Sequence, residues 1–177
     1  CKVTRRALVA GGLGWAALPA MASAVEPGRN EQQMLDDWPW LGRYAGSNAG
    51  LKTAGTKVDI VFMGDSITEG WKPKRPAFFL ASWIVRGISG QTSARMVLRM
   101  MADVVALRPR VVHILGGTND VAGNTGPMTP EMTLDNIAAM AEIANAHRIR
   151  VLLAAIPPAN RFYWKPSVQP AETIKTI

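Results

Sequence analysis

Three short polar segments, each placed after an apolar run, carry the chemistry of this chain. The first is Gly64-Asp65-Ser66-Ile67-Thr68, after Val58–Met63; the second is Gly87-Ile88-Ser89-Gly90, after Trp83-Ile84-Val85; the third is Gly116-Gly117-Thr118-Asn119-Asp120, after Val111–Leu115. A serine just past the carboxyl end of a parallel strand sits where α/β folds place their reacting groups. Ser66 is then a candidate nucleophile. Its own N–H, the N–H of Gly90 and the side-chain amide of Asn119 are candidate donors for the oxyanion that forms when an acyl carbon is attacked. Glycine at position 90 lets a substrate carbonyl come close to the backbone. Taken singly, each segment reads as a turn or a helix cap. What distinguishes them is that all three occur in order, each beyond its own strand.

The elements that position them alternate. Strands are expected at Val58–Met63, Trp83–Val85, Val111–Leu115 and Val151–Ile156. Between them, Thr92–Leu107 reads as an amphipathic helix. Met96, Val97, Met100, Met101, Val104 and Val105 form its apolar stripe, with Arg95, Arg99 and Asp103 facing elsewhere. Thr129 before Pro130 starts a helix that runs to about His147 and buries Leu134, Ile137, Ala138, Ala141 and Ala144. Glu31–Tyr44 reads as a helix interrupted at Pro39, Gly46–Gly55 as a loop, Arg75–Ser82 as a short helix, and Pro170–Ile177 as the first turns of another. Nearly all-apolar strands separated by helices imply a doubly wound parallel sheet covered on both faces, an α/β/α sandwich.

At 177 residues, 48% hydrophobic and 19% charged, the chain is long enough for one globular domain. Its first residues follow a different pattern. Arg5-Arg6, the apolar stretch Ala7–Leu18 and Ala22-Ser23-Ala24 are the parts of a secretory signal. The expected organisation is a signal over residues 1–24, an N-terminal helix and linker over 25–57, and the catalytic domain over 58–177, exported to the periplasm or secreted. Removing Lys2, Arg5 and Arg6 lowers the formal charge from +7 to +4, and removing Cys1 leaves neither a disulfide nor a thiol nucleophile. No basic helix with interleaved aromatics suggests nucleic acid as a partner, and no stable membrane span is expected. No phosphate loop, dinucleotide fingerprint or zinc spacing is present, so no cofactor and no metal are expected.

The three segments together resemble the SGNH hydrolases, also called the GDSL esterase/lipase family. Gly64–Thr68 is similar to the family's first block, with Ser66 on the nucleophile. Gly87–Thr92 matches the second, with Gly90 on the oxyanion glycine, and Gly117–Asp120 the third, with Asn119 on the oxyanion asparagine. The resemblance covers about Val58 to Ile156. It implies a flavodoxin-like sheet, no metal, and hydrolysis of carboxylic esters such as lysophospholipids, short-chain or aryl esters and acetylated sugars. It also implies an aspartate followed three residues later by a histidine near the carboxyl end. The two histidines here do not fit. His113 has Arg110 at minus three and lies inside a strand, and His147 has Ala144 at minus three and lies at a helix end. The resulting expectation is an esterase chain missing its last strand and catalytic loop, about 30–50 residues by ordinary element lengths. Such a chain would be nearly inactive by itself. The alternative is a non-catalytic module that binds an acylated glycan or lipid in the same pocket. A nucleotide binder rests on fold analogy alone.

Overall fold

The computed structural model describes residues 31–177. The signal expected over residues 1–24, and the first part of the linker after it, lie outside the described residues. In chain order the elements are α1 (Glu31–Asp36), α2 (Gly42–Thr53), β1 (Ile60–Gly64), α3 (Ser66–Lys74), β2 (Trp83–Gly87), α4 (Ser93–Arg99), β3 (Val111–Leu115), α5 (Thr118–Val121), α6 (Pro130–Ala146), β4 (Arg150–Leu153) and α7 (Ala171–Thr176). The four strands form one parallel sheet in the order β2-β1-β3-β4. β1 sits between β2 and β3, with Gly64 paired to Gly87 on one side and Leu115 on the other. The chain therefore crosses from one side of β1 to the other after β2. The loops that follow β1 and β3 face each other across that switch point, where open α/β sheets bind ligands.

Strand alternation sorts the core. Val61, Met63, Val112 and Ile114 point to one face, where they pack with Met96, Met100, Val104, Met140 and Ala144 from α4, its continuation and α6. Phe62 points to the other face and makes ring contacts with Trp71, Phe79, Trp83 and His113. On that same face Leu152 of β4 is 54% exposed.

Several expectations need correction. The first strand begins at Ile60 rather than Val58, and β4 ends at Leu153 rather than Ile156. The interruption expected at Pro39 does separate α1 from α2, where the chain turns at Trp40 (φ 58°) and the Asp37 carboxylate accepts from Leu41 N and Gly42 N. Gly46–Gly55 is not a loop but most of α2. Its glycines disfavour a helix by about 1 kcal/mol each, yet Leu51 packs on the core and the buried Asn48 is bonded into it. The helix expected at Arg75–Ser82 is only a tight turn over Pro76–Phe78; α3 comes earlier, capped by Asp65.

The Thr92–Leu107 helix is α only to Arg99, then widens over Met100–Val104 and tightens over Val105–Leu107. Arg95, Arg99 and Asp103 do not face solvent: all three are buried, whereas Met101 is exposed. In α6, Thr129 caps as expected, but Thr133, Met140 and Ala144 are the buried positions while Leu134 and Ala138 are exposed.

The close fit of β2 against α3 gives a test. A Cβ at Gly87 would stand 2.2 Å from Glu69 N and 2.6 Å from Asp65 O, both backbone atoms. Gly87→Ala should therefore destabilise the fold by about 3 kcal/mol, the upper range for overpacking. Chemical denaturation measures this, and a loss below about 1 kcal/mol would contradict the packing.

Candidate active site

Ser66 is the first residue of α3. Asp65, fully buried, occupies the cap position, and its carboxylate accepts from Ile67 N at 2.9 Å. Capping needs a short acceptor here, and Asp supplies it. Gly64 and Gly87 allow this turn to form. A Cβ at Gly64 would overlap Thr68 and the Leu115 carbonyl, so the end of β1, the start of α3 and the end of β3 meet without intervening side chains. Ser66 is exposed and lines a cavity of about 680 Å³ with Gly70, Trp71, His113, Leu115 and Ala154. Trp71 of α3 supplies an aromatic wall, whereas Phe162, Tyr163 and Trp164 are not among the residues lining this cavity.

Gly90 lies in the loop from β2 to α4. Its φ of 82° is in the left-handed region, which glycine enters without strain. The loop is held from outside by Glu69, whose carboxylate accepts from both Ser89 N and Ser89 Oγ while also pairing with Arg43. Burial alone would raise the Glu69 pKa, but these bonds outweigh it and bring the carboxyl below its ordinary value.

Asn119 is buried at the start of α5. Its Nδ2 donates to Gln91 O at 2.9 Å and to Asp65 Oδ2 at 3.3 Å, and its Oδ1 accepts from Asn124 Nδ2 at 2.8 Å. The three sequence-predicted segments are therefore bonded to one another: Asn119 to the residue after Gly90 and to the residue before Ser66. Asn124 also donates to Gly90 O at 3.3 Å.

The start of α4 is capped from another element. Neither Thr92 nor Ser93 caps it with its own hydroxyl; Thr92 faces Thr125, and Asp120 instead receives Ser93 N and Ser93 Oγ. The first N–H of that helix is thus satisfied within the protein. Burial raises the pKa of Asp120, and its bonds from Ser93 partly offset the rise. Sequence reasoning did not find the roles of Asp65, Asp120 or Asn124: Asp65 caps α3 from what reads as an ordinary Gly-Asp-Ser turn, and Asp120 and Asn124 act on partners distant in the chain.

His113 shares the cavity with Ser66 but belongs to the middle of β3. Its ring packs on Phe62 and Trp71, its Nδ1 has no hydrogen-bond partner among the described residues, and burial lowers its pKa. Trp71 is five residues along α3 from Ser66, roughly 7.5 Å at the rise of an α-helix. His147 is exposed at the end of α6.

The family model of GDSL-like lipases and acylhydrolases matches residues 62–177. The chain belongs to that family. A GDSL-like lipase from Bacteroides thetaiotaomicron is 43% identical, with a TM-score of 0.73 over 78% of this chain and 69% of that one. A protein of known structure from Bacteroides fragilis is also 43% identical, with a TM-score of 0.74 over 79% and 69%. The lipase/acylhydrolase from Enterococcus faecalis, at 24% identity and a TM-score of 0.52 over 68% and 67%, shares the fold. A search of the curated proteins finds no match. As a GDSL-like chain the protein is a member of an ester-hydrolase family, and its four-stranded parallel sheet flanked by helices is the family fold. Among the described residues no helix is long and apolar enough to cross a membrane.

Burial of Asp65 sets a pH dependence. Desolvation, helped by the nearby Asp120 and opposed by Ile67 N–H, pushes its pKa from 3.8 to about 6. A carboxyl whose folded pKa is raised contributes stability that is present below its unfolded pKa and lost as pH rises through its folded pKa. The loss falls between pH 3.8 and somewhat above 6 and is on the order of 3 kcal/mol. A carboxyl-carbon titration should place the Asp65 midpoint near 6; a midpoint at or below about 4, the ordinary aspartate value, would contradict the desolvated site.

Proposed function

We propose that the protein is a serine ester hydrolase that works through an acyl-enzyme on Ser66. One observation carries this reading: Ser66 opens onto a cavity from the first turn of α3, while Asn119 is bonded both to the residue before it and to the residue after Gly90. Ser66 Oγ attacks the ester carbonyl carbon, and the carbonyl electron pair moves onto oxygen. That oxyanion is held by Ser66 N–H, Gly90 N–H and Asn119 Nδ2. Of the two Asn119 bonds, the 3.3 Å one to Asp65 is the longer, and its hydrogen is the one an oxyanion shares. Collapse of the adduct breaks the bond to the alkoxide, which takes up the proton that Ser66 Oγ gave up and leaves as the alcohol; water then attacks the acyl-enzyme, releases the acid and returns a proton to Ser66 Oγ. The apolar lining beside Ser66, from Ile67, Trp71 and Leu115, suits the acyl or alcohol part of a small ester, including lysophospholipid or acetylated-sugar substrates.

Neither His113, inside β3, nor His147, at the end of α6, has an aspartate three residues before it, and neither is assigned here as the base. The same observation favours a second reading, a non-catalytic module that binds an acylated glycan or lipid in this cavity.

Kinetics on the protein expressed from its full natural coding sequence separate the two. Ser66→Ala should abolish p-nitrophenyl ester turnover with folding intact, and Asn119→Ala should lower kcat by about 10²–10³-fold. Retained turnover in Ser66→Ala sinks the mechanism. Ester binding with no cleavage by the unmodified protein supports the module.

A further inference from the structure

We propose that Arg99 and Gln91 form a clamp that fixes the Gly90 N–H relative to the Asn119 amide, making both positioning residues for ester hydrolysis; this rests on the roles proposed above for Ser66, Gly90 and Asn119. The loop that carries Gly90 leaves β2 after Gly87 and enters α4 at Ser93. Arg99 reaches both of its ends. Its Nη2 donates to Arg86 O at 3.2 Å, and its Nε donates to Gln91 Oε1 at 2.8 Å. A guanidinium is planar and rigid, so it holds those two acceptors at a fixed separation.

Gln91 then relays that position in two directions. Its Nε2 donates to Pro39 O at 2.9 Å, and its main-chain carbonyl accepts from Asn119 Nδ2 at 2.9 Å. It is the neighbour of Gly90 in the chain and of Asn119 in space. Behind the clamp, Arg99 Nη1 pairs with Asp103 at 2.6 Å, and neither side chain has any solvent exposure. A buried ion pair of this kind commonly adds nothing to stability over well-packed apolar residues. What the pair supplies here is a fixed orientation for the guanidinium, and through it the width of the loop.

The test is Gln91→Met in the protein expressed from its full natural coding sequence. Methionine fills similar space and leaves the main-chain carbonyl for Asn119, but removes both side-chain bonds. The expected kcat falls about tenfold with KM within about twofold, the pattern seen when the interaction removed is one made only in the transition state. Amide exchange at Ser89–Thr92 should quicken at least about tenfold while β1 and β3 amides change little, as for a local opening. An unchanged kcat in folded Gln91→Met overturns the clamp, and so does a loss of protection shared equally by loop and sheet. Should Gln91→Met fail to fold, Gln91→Asn, whose shorter amide falls short of Arg99, carries the same expectation and the same overturning results. If Ser66→Ala keeps its turnover, the ester reading fails, and the exchange of the Ser89–Thr92 amides still decides the clamp.

Discussion

The fold is organised around a buried pair of charges. Arg99 and Asp103 sit beneath the sheet edge with no solvent exposure, and charges there are tolerated only when every donor and acceptor is used. Their partners therefore come from across the molecule. Asn48 of α2 donates to Asp103, Arg86 of β2 donates to Asn48 and stacks on Tyr44, and Gln91 and the Arg86 carbonyl receive the guanidinium of Arg99. This set ties α2, β2, α4 and the Gly90 loop into one block. It explains why a glycine-rich stretch is helical: Asn48 must sit where a helix places it.

A second layer of buried polar groups holds the loops above that block. Asp65 caps α3 and Asp120 caps α4, each drawing on N–H groups that a helix start leaves unsatisfied. Both are desolvated and both have raised pKa values, so the site sits at the expense of stability near neutral pH. Close backbone approach completes the arrangement. At Gly117, with φ of 119°, a Cβ would lie 2.4 Å from Ile156 Cδ1, which keeps the Asn119 turn pressed against the segment after β4.

What was legible in the sequence was what local pattern encodes. Ser66, Gly90 and Asn119 could be placed because each follows an apolar strand, and β3 and the Thr129-Pro130 helix start lie where expected. The amphipathic reading of Thr92–Leu107 fails at Arg95, Arg99 and Asp103 because a periodic pattern sorts residues by polarity, and these polar residues are buried against Trp38, Gln91 and Asn48 from outside that stretch. α2 escapes such a reading because its helicity comes from tertiary packing against the preference of its glycines. α3 escapes it because the Gly-Asp-Ser turn hides a helix start whose cap, Asp65, has the residue type of an ordinary turn. His113 lies in β3 among aromatic rings and His147 at a helix end, where their positions in the sequence put them.

The most direct test of an oxyanion site shared by the three loops is a crystal structure with an alkylboronic acid bound. Boron should bond to Ser66 Oγ, with one boron oxygen within about 3.2 Å of Gly90 N and Asn119 Nδ2. A boronate seated elsewhere in the cavity, or bonded to Ser66 with its oxygens turned away from both donors, would contradict it.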